Sequence, residues 1–572
     1  MRLSSFFRRP VLVVALLVFS VQPSVAQQGR EPVPAERGMV TSSHFRASQV
    51  GRDVLAAGGN AIDAAVATAM ALAVVYPSAG NIGGGGFIVY HGADGTVTGF
   101  NFREKAPLAA TLTMFAGPDG QPDEQKHHHA LTSVGVPGTV AGLALAHEKL
   151  GSMPWADLVD PAVTLARDGF PFSWDMSTRG AAFRALAAED PIYNTSVQAF
   201  TKGDAGDYQP GENFRQPDLA ASLQRIRDNG ADGFYKGETA RLIADFMRKN
   251  GGLITEEDLA RYEAVQQDPV HGTYRGYDIW SMSPPSSGGI AVVTMLNILE
   301  GFDLSSMGHN SAQYLHLITE AMRRAFADRA EFVGDPAFNP DMPVDWLTSK
   351  EHGADLRATI DMLSASVSDP VVFNDVPESE ETTHFSVVDA EGNMVSVTYT
   401  LEYSYGSRIV VEGAGFLLNN EMGDFNPVPG LTDERGRIGT APNLVAPEKR
   451  MLSSMTPTIV GLNGKPFMAI GSPGGRTIIN TVLQVILNVI DHDMNIAEAI
   501  EAPRIHHQWL PDRTSFEPGI SPDTRRLYEF MGHSVYNRSA QGQAMGIIID
   551  PKTGIRYGAA DSRSFDGRAI PW

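Results

Sequence analysis

The 572-residue chain contains no cysteine. This absence excludes disulfides, cysteine nucleophiles, zinc sites built on thiolates and lipid attachment through an N-terminal cysteine. The remaining composition, with 43% hydrophobic and 19% charged residues, is that of an ordinary globular protein. A hydrophobic core, rather than covalent cross-links, must therefore stabilise the fold.

The chain also has little positive charge. It contains 45 Lys and Arg residues against 66 Asp and Glu residues, which gives a net charge of −21. Phosphate binding relies on cationic surface. We therefore expect no nucleic-acid partner.

Long hydrophobic runs are scarce as well. After residue 26, no run approaches the roughly 20 apolar residues that span a bilayer. At the N-terminus, Arg2, Arg8 and Arg9 precede a short apolar run from Val11 to Phe19, and the small-residue site Ser24-Val25-Ala26 follows. This pattern is typical of a secretory signal peptide, and a membrane anchor is the alternative. We predict that residues 1–26 are removed near Ala26, and that the mature protein is periplasmic or secreted and makes no membrane contact.

The periodicity of apolar residues indicates a mixture of helices and strands. Residues 61–75 predict a buried helix that Pro77 ends, and residues 81–104 alternate as strand, turn and strand. Residues 130–364 are mostly helical patches, and strand patterns return from Thr382 onward. The mixture predicts a layered α/β or α+β fold whose sheet draws strands from both halves of the chain.

A Pro- and Gly-rich segment interrupts the second half. Residues 426–450 contain no aromatic residue. Loops of this length are usually functional or disordered, and the composition predicts a long surface loop.

The strand pattern starts abruptly at Thr382, after an acidic, polar segment. A three-residue hairpin loop at 390–392, with Gly392 at the position of positive φ, fixes the register of the next two strands. Counting back, Thr382 faces Thr400 at about 5 Å, so that the two hydroxyls could form a hydrogen bond. Two threonines in a hairpin can also be simple strand formers, and the pattern leaves both interpretations open.

Several motifs together resemble the γ-glutamyltranspeptidase family. They are "GGNAIDAAVATAMAL", "GNIGGGGF", "FREKAP", "TTHFSVVD", "LLNNEMGDF", "LSSMTPTIV" and "GSPGG". The resemblance extends from about residue 38 to residue 507. It implies the N-terminal nucleophile hydrolase fold, an α+β four-layer αββα sandwich. It also implies a precursor that cuts itself before Thr382 into a large subunit (27–381) and a small subunit (382–572), interwoven as one structural unit.

The chemistry of a new N-terminal threonine is consistent with this resemblance. A threonine hydroxyl is a weak nucleophile that needs a base. A free α-amino group has a pKa near 7.7–8, close to working pH, as a general base should have. After cleavage Thr382 would carry both groups, whereas the uncut chain has only an amide nitrogen there. The resemblance implies that a γ-glutamyl group passes through a threonine ester to water or to an amino acid or peptide, without a cofactor, from small substrates such as glutathione.

A γ-glutamyl group presents a carboxylate, an ammonium and the reacting amide. Its site needs cationic and hydroxyl donors, anionic acceptors and an oxyanion hole. The resemblance assigns Arg103, Ser453 and Ser454 to the carboxylate, Glu402, Glu421 and Asp424 to the ammonium, and the backbone of Gly474 and Gly475 to the oxyanion, while the hairpin register places Thr400 beside Thr382.

Two positions depart from the family pattern. Glu402 falls where well-known members carry an asparagine, and it adds negative charge beside Glu421 and Asp424. The loop at 426–450 has the length of the bacterial lid but lacks its usual tyrosine, since ungapped counting gives Arg435. Glu402 keeps an alternative open: an acylase of the same fold, either a poly-γ-glutamate depolymerase or a glutaryl-cephalosporin-type acylase.

A catalytically inactive binding protein of this fold is a further alternative. An intact Thr382 and the glycine pair 474–475 argue against it. Metal and nucleotide sites are also not expected. The runs His127-His128-His129 and His506-His507 lack a helical His-Glu spacing, and adjacent histidines cannot easily share one tetrahedral ion. "GNIGGGGF" has neither a Lys-Ser/Thr pair nor a G-x-G-x-x-G frame.

Overall fold

The computed structural model describes residues 30–178, 180–368, 382–431 and 438–572. The predicted signal peptide, Glu381 on the predicted scissile bond and Arg435 in the Pro- and Gly-rich segment lie outside the described residues.

Two antiparallel sheets, each with seven strands among the described residues, lie face to face at the centre of the fold. The first sheet has the spatial order β19 (Arg568–Pro571), β2 (Met39–Ser42), β10 (Thr383–Val388), β11 (Met394–Thr400), β3 (Gly85–His91), β4 (Val97–Phe102) and β7 (Val265–Gln267). The second has the order β1 (Val33–Ala35), β18 (Arg556–Ala560), β17 (Met545–Ile549), β13 (Lys465–Gly471), β12 (Thr458–Leu462), β9 (Tyr277–Ser281) and β8 (Val270–Tyr274). Smaller pairings involve β5 (Phe170–Pro171), β6 (Asn213–Phe214), β14 (Ile505–His506), β15 (Thr514–Phe516) and β16 (Val535–Asn537).

Helices surround the sheets. In chain order they are α1 (Phe45–Ala56), α2 (Ala61–Val75), α3 (Thr139–Leu150), α4 (Trp155–Asp168), α5 (Trp174–Ser177), α6 (Gly180–Glu189), α7 (Asn194–Phe200), α8 (Pro217–Asn229), α9 (Asp232–Tyr235), α10 (Gly237–Asn250), α11 (Glu256–Ala260), α12 (Gly288–Leu299), α13 (Leu304–Met307), α14 (Ala312–Phe332), α15 (Val344–Leu347), α16 (Lys350–Ala358), α17 (Thr477–Ile490), α18 (Ile496–Glu501) and α19 (Pro522–Phe530).

Hydroxyl side chains connect the two central sheets. Ser396 of β11 donates to the carbonyl of Ile470 in β13 at 3.1 Å, and Ser386 of β10 donates to that of Met545 at 3.3 Å. Buried hydroxyls need such partners, because an unsatisfied polar group in a core is destabilising by roughly 1–3 kcal/mol. The serines therefore satisfy their hydroxyl groups within the interface between the two sheets.

The helix predicted at residues 61–75 is confirmed as α2, with all of its residues buried. Asn60 caps its first turn and forms a capping box with Asp63. The Tyr399 hydroxyl donates to the Ala69 carbonyl at 3.0 Å, which attaches the helix to the first sheet. Helices α12 and α17 pack against the second sheet. The order helix, sheet, sheet, helix confirms the predicted four-layer αββα sandwich.

The predicted hairpin register is confirmed. Thr383 pairs with Tyr399, and Gly392 has a φ of 90° in the loop. The strand β10 lies at the centre of the first sheet, between β2 and β11. Because each sheet contains strands from before and after Thr382, a cut at this point would leave both products in each sheet.

The prediction of a surface loop at 426–450 is partly wrong. The backbone N–H of Asn426 donates to the Asn443 carbonyl at 2.9 Å, and the Asn443 side chain donates to the Asp424 carbonyl at 2.6 Å. Asn443 also accepts a hydrogen bond of 2.8 Å from the Leu452 N–H. Side-chain amides thus satisfy backbone groups that would otherwise need water, which permits burial of both ends of the segment.

Membrane-spanning helices are absent from the part of the chain that the structure describes, because no helix there combines the required length with enough apolar residues.

Candidate active site

The predicted nucleophile Thr382 lies directly before β10, opposite the end of β11. Its hydroxyl donates to that of Thr400 at 3.5 Å, and the Thr400 hydroxyl accepts the N–H of Glu402 at 2.8 Å. Thr382 is 5% exposed. The hairpin therefore holds the hydroxyl, largely buried, at the wall of a pocket.

Nine of the ten residues that the sequence assigned to a site line this pocket. The tenth, Gly474, directly precedes the lining residue Gly475 in the sequence. The lining residues are Arg103, Thr382, Thr400, Glu402, Glu421, Asp424, Ser453, Ser454 and Gly475, together with Met455 and Ile478, which the sequence did not indicate. Segments more than 300 residues apart in sequence meet here.

The glycine pair precedes α17. Gly474 and Gly475 have φ angles of 135° and 56°, and a side chain at Gly474 would overlap the Thr477 hydroxyl. The carbonyls of both glycines accept N–H groups from the first residues of the helix, Thr477 and Ile478. Because the N-terminus of a helix carries partial positive charge, this corner of the pocket favours an anion.

Arg103 follows β4 and is fully buried. Its guanidinium forms ion pairs with Glu421 and Asp424, lies 3.4 Å from Glu104, and donates to the Leu452 carbonyl at 3.1 Å. Burial alone would lower the pKa of Arg103, but the carboxylates, Glu421 first, raise it above its usual value. Arg103 therefore stays charged in the pocket.

The charged groups are arranged differently from the expectation. The resemblance separates Arg103, for the substrate carboxylate, from Glu421 and Asp424, for the ammonium. In the structure these residues pair with one another. Buried charges without a partner are strongly unfavourable, so the cation and the carboxylates neutralise each other in the pocket. A ligand with both a carboxylate and an ammonium can replace these internal pairs with its own.

Carboxylates outnumber guanidinium groups around Arg103. Burial raises the pKa of Glu421 well above its usual range; Arg103 opposes this shift, and Glu104, Asp424 and Glu402 increase it. Burial likewise raises the pKa of Glu104 to about 7. Desolvation, and secondarily the mutual repulsion of these carboxylates, thus favours their protonated forms.

Arg329 supports the serine pair, and the sequence analysis did not identify it. Its guanidinium donates to the Ser454 hydroxyl at 3.0 Å and to the Ser287 hydroxyl at 2.9 Å; Ser287 in turn donates to the Ser453 carbonyl at 2.7 Å. Arg329 follows Phe326 at helical spacing on the buried face of α14. A cation on an apolar helix face was the signal that could have revealed it.

Among the described residues, two groups of three potential metal ligands have donor atoms within 4.8 Å of one another: Glu124 with His127 and His128, and Glu320 with His316 and His533. In the second group, Glu320 already pairs with Arg323 and Arg324, and the two histidines bond to each other at 2.8 Å. In the first group, His128 faces Glu402 at 3.2 Å. The chain thus gives most of these ligand atoms other partners.

Comparison with known proteins gives consistent results. Residues 47–571 match the family model described as gamma-glutamyltranspeptidase. The chain is 45% identical to the glutathione hydrolase proenzyme of Escherichia coli (strain K12), with 98% of each chain covered. It is 36% identical to the acylase ACY 1 proenzyme of Pseudomonas sp. (strain SE83), over 95% of this chain and 94% of that one. A crystal structure of cephalosporin acylase from Bacillus halodurans superimposes with a TM-score of 0.82 at 28% identity, covering 97% of this chain and 99% of that chain.

Proposed function

The chain belongs to the γ-glutamyltranspeptidase family, and from this premise we propose that it is a γ-glutamyltransferase and glutathione hydrolase with Thr382 as its nucleophile. One observation carries the proposal: the hydroxyls of Thr382 and Thr400 lie 3.5 Å apart in a pocket that also contains a buried guanidinium and several carboxylates. This combination is complementary to the carboxylate, the ammonium and the reacting amide of a γ-glutamyl substrate.

The first step is processing of the precursor. Hydrolysis of the bond between Glu381 and Thr382 gives a carboxylate on Glu381 and a free α-amine on Thr382. The neutral amine accepts the proton of the Thr382 hydroxyl, whose oxygen attacks the γ-carbonyl carbon of the substrate. The two products of the cut correspond to the predicted subunits 27–381 and 382–572, and the shared sheets support their staying together.

The second step is acyl transfer. Negative charge develops on the carbonyl oxygen and is stabilised by backbone N–H groups of Gly474 and Gly475, next to the N-terminus of α17. The C–N bond breaks, and the amine leaves with the proton that the Thr382 amine had accepted. Water, or the amine of an amino acid or peptide, then attacks the resulting ester and regenerates the Thr382 hydroxyl.

Substrate binding is an exchange of ion pairs. Arg103, with Ser453 and Ser454, takes the α-carboxylate, and Glu402, Glu421 and Asp424 take the ammonium. The ion pairs that Arg103 forms with Glu421 and Asp424 are thereby replaced. Arg103 pairs instead with the substrate carboxylate, and the two carboxylates pair with the substrate ammonium. Because every buried charge keeps a partner, the exchange avoids the penalty of leaving one unpaired.

The acylase alternative arose because the carboxylate Glu402 occupies the expected position of an asparagine. A glutaryl group has no ammonium, however, and would leave Glu402, Glu421 and Asp424 without a cation from the ligand. The same carboxylates argue for a γ-glutamyl substrate. Comparing turnover of a γ-glutamyl-anilide with that of a glutaryl-anilide separates the two, and faster turnover of the glutaryl compound contradicts our proposal.

Denaturing electrophoresis with N-terminal sequencing tests the proposal as a whole. We expect two bands, the smaller of which begins Thr-Thr-His-Phe, and the larger of which begins near Gln27 if residues 1–26 direct export. An active protein that remains a single uncut chain would contradict the assignment of Thr382.

A further inference from the structure

His128 contacts Glu402, one of the residues that line the pocket. Its Nδ1 is 3.2 Å from Oε1 of Glu402, and the two side chains are 2% and 6% exposed. On the opposite side of the ring, Nε2 lies 3.9 Å from Oε1 of Glu124, whose side chain is 51% exposed. One imidazole therefore lies between a carboxylate that lines the pocket and a carboxylate at the surface.

Packing fixes the orientation of this ring. His128 belongs to a π-helical turn (Gln125–His129), stacks on Tyr403 with ring centroids 5.1 Å apart and planes 7° apart, and approaches the His127 ring at 4.2 Å. Gly423 faces it from the 3₁₀ turn Glu421–Asp424, where a Cβ atom would overlap the imidazole. Glycine at this position permits the close contact between His128 and Glu402.

The contact has an electrostatic consequence. A buried carboxylate tends to take up a proton, whereas a cation nearby keeps it ionised. An imidazole between two carboxylates is favoured in its charged form for the same reason. With imidazolium at Nδ1, the Glu402 carboxylate lies beside a cation on one side and lines the pocket on the other. The Glu402 carboxylate is then a stronger acceptor than the asparagine amide would be.

Other titratable and charged groups surround the pair. They are Glu124, Lys126, His127 and His129 on the segment of His128, Glu421 and Asp424 on the facing turn, and Tyr403 and Arg408 after β11. Burial, followed by the charge of His128, lowers the pKa of His127 and of His129, and Arg408 lowers that of His129 further.

We propose that His128 is a positioning residue that keeps Glu402 ionised and directed at the substrate ammonium, so that the row Glu124–His128–Glu402 sets selectivity for γ-glutamyl groups over acyl groups without an amine. This inference rests on the proposed function and identifies what determines its substrate class. The sequence assigned Glu402 to the substrate ammonium, as a departure from the family pattern, but indicated His128 only as an improbable metal ligand.

Kinetics at pH 7 and pH 8.5 test the role of His128. We expect His128→Leu to raise KM for a γ-glutamyl-anilide about tenfold at pH 7, the effect of one lost charge-assisted contact, with kcat within about threefold. The deficit should shrink at pH 8.5, because a higher pH favours the ionised carboxylate in the variant and the neutral imidazole in the wild type. Glu124→Gln should raise KM only about twofold, since Glu124 is exposed and acts through His128. His129→Leu, on the same turn, is the matched control and should leave KM unchanged.

Inhibition by L-glutamate and by glutarate isolates the ammonium. His128→Leu should weaken inhibition by L-glutamate about tenfold and leave inhibition by glutarate unchanged. In a Glu402→Asn background, His128→Leu should have no further effect, because the two residues act as one unit. Should His128→Leu fail to form two subunits, His128→Asn, which retains a donor near the position of Nδ1, replaces it and should give a smaller rise in KM.

Three outcomes overturn the inference: an unchanged KM in a processed His128 variant, equal losses for L-glutamate and glutarate, or additive effects of His128→Leu and Glu402→Asn.

Failure of the proposed function gives a different result from failure of this inference. In that case the wild type does not turn over the γ-glutamyl-anilide, while calorimetry still compares binding of L-glutamate and glutarate to the wild type and the variant. A preference for L-glutamate that is lost in His128→Leu would then still support the role of His128.

Discussion

The pocket has two walls that are held in different ways. The hairpin wall consists of Thr382 and Thr400, which are 18 positions apart and fixed by the backbone ladder of a central sheet. The charged wall consists of Arg103, Glu402, Glu421, Asp424, Ser453 and Ser454, which come from separate segments and are held largely by buried ion pairs and hydrogen bonds.

This difference suggests that the two walls have different roles, one in the reaction and the other in substrate recognition. A reacting oxygen must be held within a fraction of an ångström, and a buried sheet provides that rigidity. Recognition groups, by contrast, must give up their partners when a substrate enters, and ion pairs can be exchanged without moving the backbone. We therefore expect changes in the hairpin wall to affect processing and kcat, and changes in the charged wall to affect KM.

The largest effect is expected for Thr382→Ala. This variant lacks the nucleophile and should remain a single uncut chain with activity reduced by at least about 10⁴-fold, the scale of losing a catalytic nucleophile. Electrophoresis and γ-glutamyl-anilide turnover measure both results. Thr382→Ser keeps a hydroxyl and is the matched control, which should be cut and retain partial activity. Normal processing of Thr382→Ala would contradict the proposed catalytic role of the hairpin wall.

Arg103→Lys should cause the next largest effect. An ammonium cannot reproduce the forked contacts of a guanidinium with Glu421 and Asp424 or with a substrate carboxylate. We expect KM for the γ-glutamyl-anilide to rise by about 10²-fold, with processing unaffected, since a buried charged contact is worth roughly 2–3 kcal/mol. Steady-state kinetics and the two-band pattern check this. A variant that is defective in processing but normal in KM would contradict the proposed division between the walls.

Thr400→Val tests the hairpin wall without removing the nucleophile. Valine has a similar shape but lacks the hydroxyl that contacts Thr382 and accepts the Glu402 N–H at 2.8 Å. We expect kcat to fall about tenfold, corresponding to one lost hydrogen bond of about 1.4 kcal/mol, while KM changes little. Thr400→Ser should restore most of kcat. A rise in KM alone would instead assign Thr400 to binding.

The smallest effect concerns pH. Because burial raises the pKa of Glu421, binding of an ammonium favours loss of the proton, and KM should fall as pH rises. Glu402→Asn removes a neighbouring negative charge, lowers the Glu421 pKa and should flatten this dependence by a few-fold between about pH 6 and pH 8.5, below titration of the substrate amine. Identical KM profiles for the wild type and Glu402→Asn would show that Glu402 does not face the ammonium.

The sequence predicted the hairpin wall more completely than the charged wall. Alternation of apolar residues and a glycine in a short loop fix a strand register, so that Thr382 and Thr400 could be paired by counting. The residues of the charged wall could be assigned only through a family resemblance. Their mutual ion pairs, the support that Arg329 gives to Ser454, and the contact of His128 with Glu402 were not predicted.

The two walls differ in predictability because some interactions act between neighbours in the chain and others only between distant segments. Local pattern and turn chemistry act between neighbours in the chain, so the sequence by itself determined the helix α2, the register of β10 with β11 and, through its motifs, the four-layer fold. Burial of charge is decided only when distant segments meet. Desolvation raises the pKa of Glu421, and the close approach permitted by Gly423 places His128 against Glu402. The tertiary structure alone therefore decided how the charges of this pocket are paired.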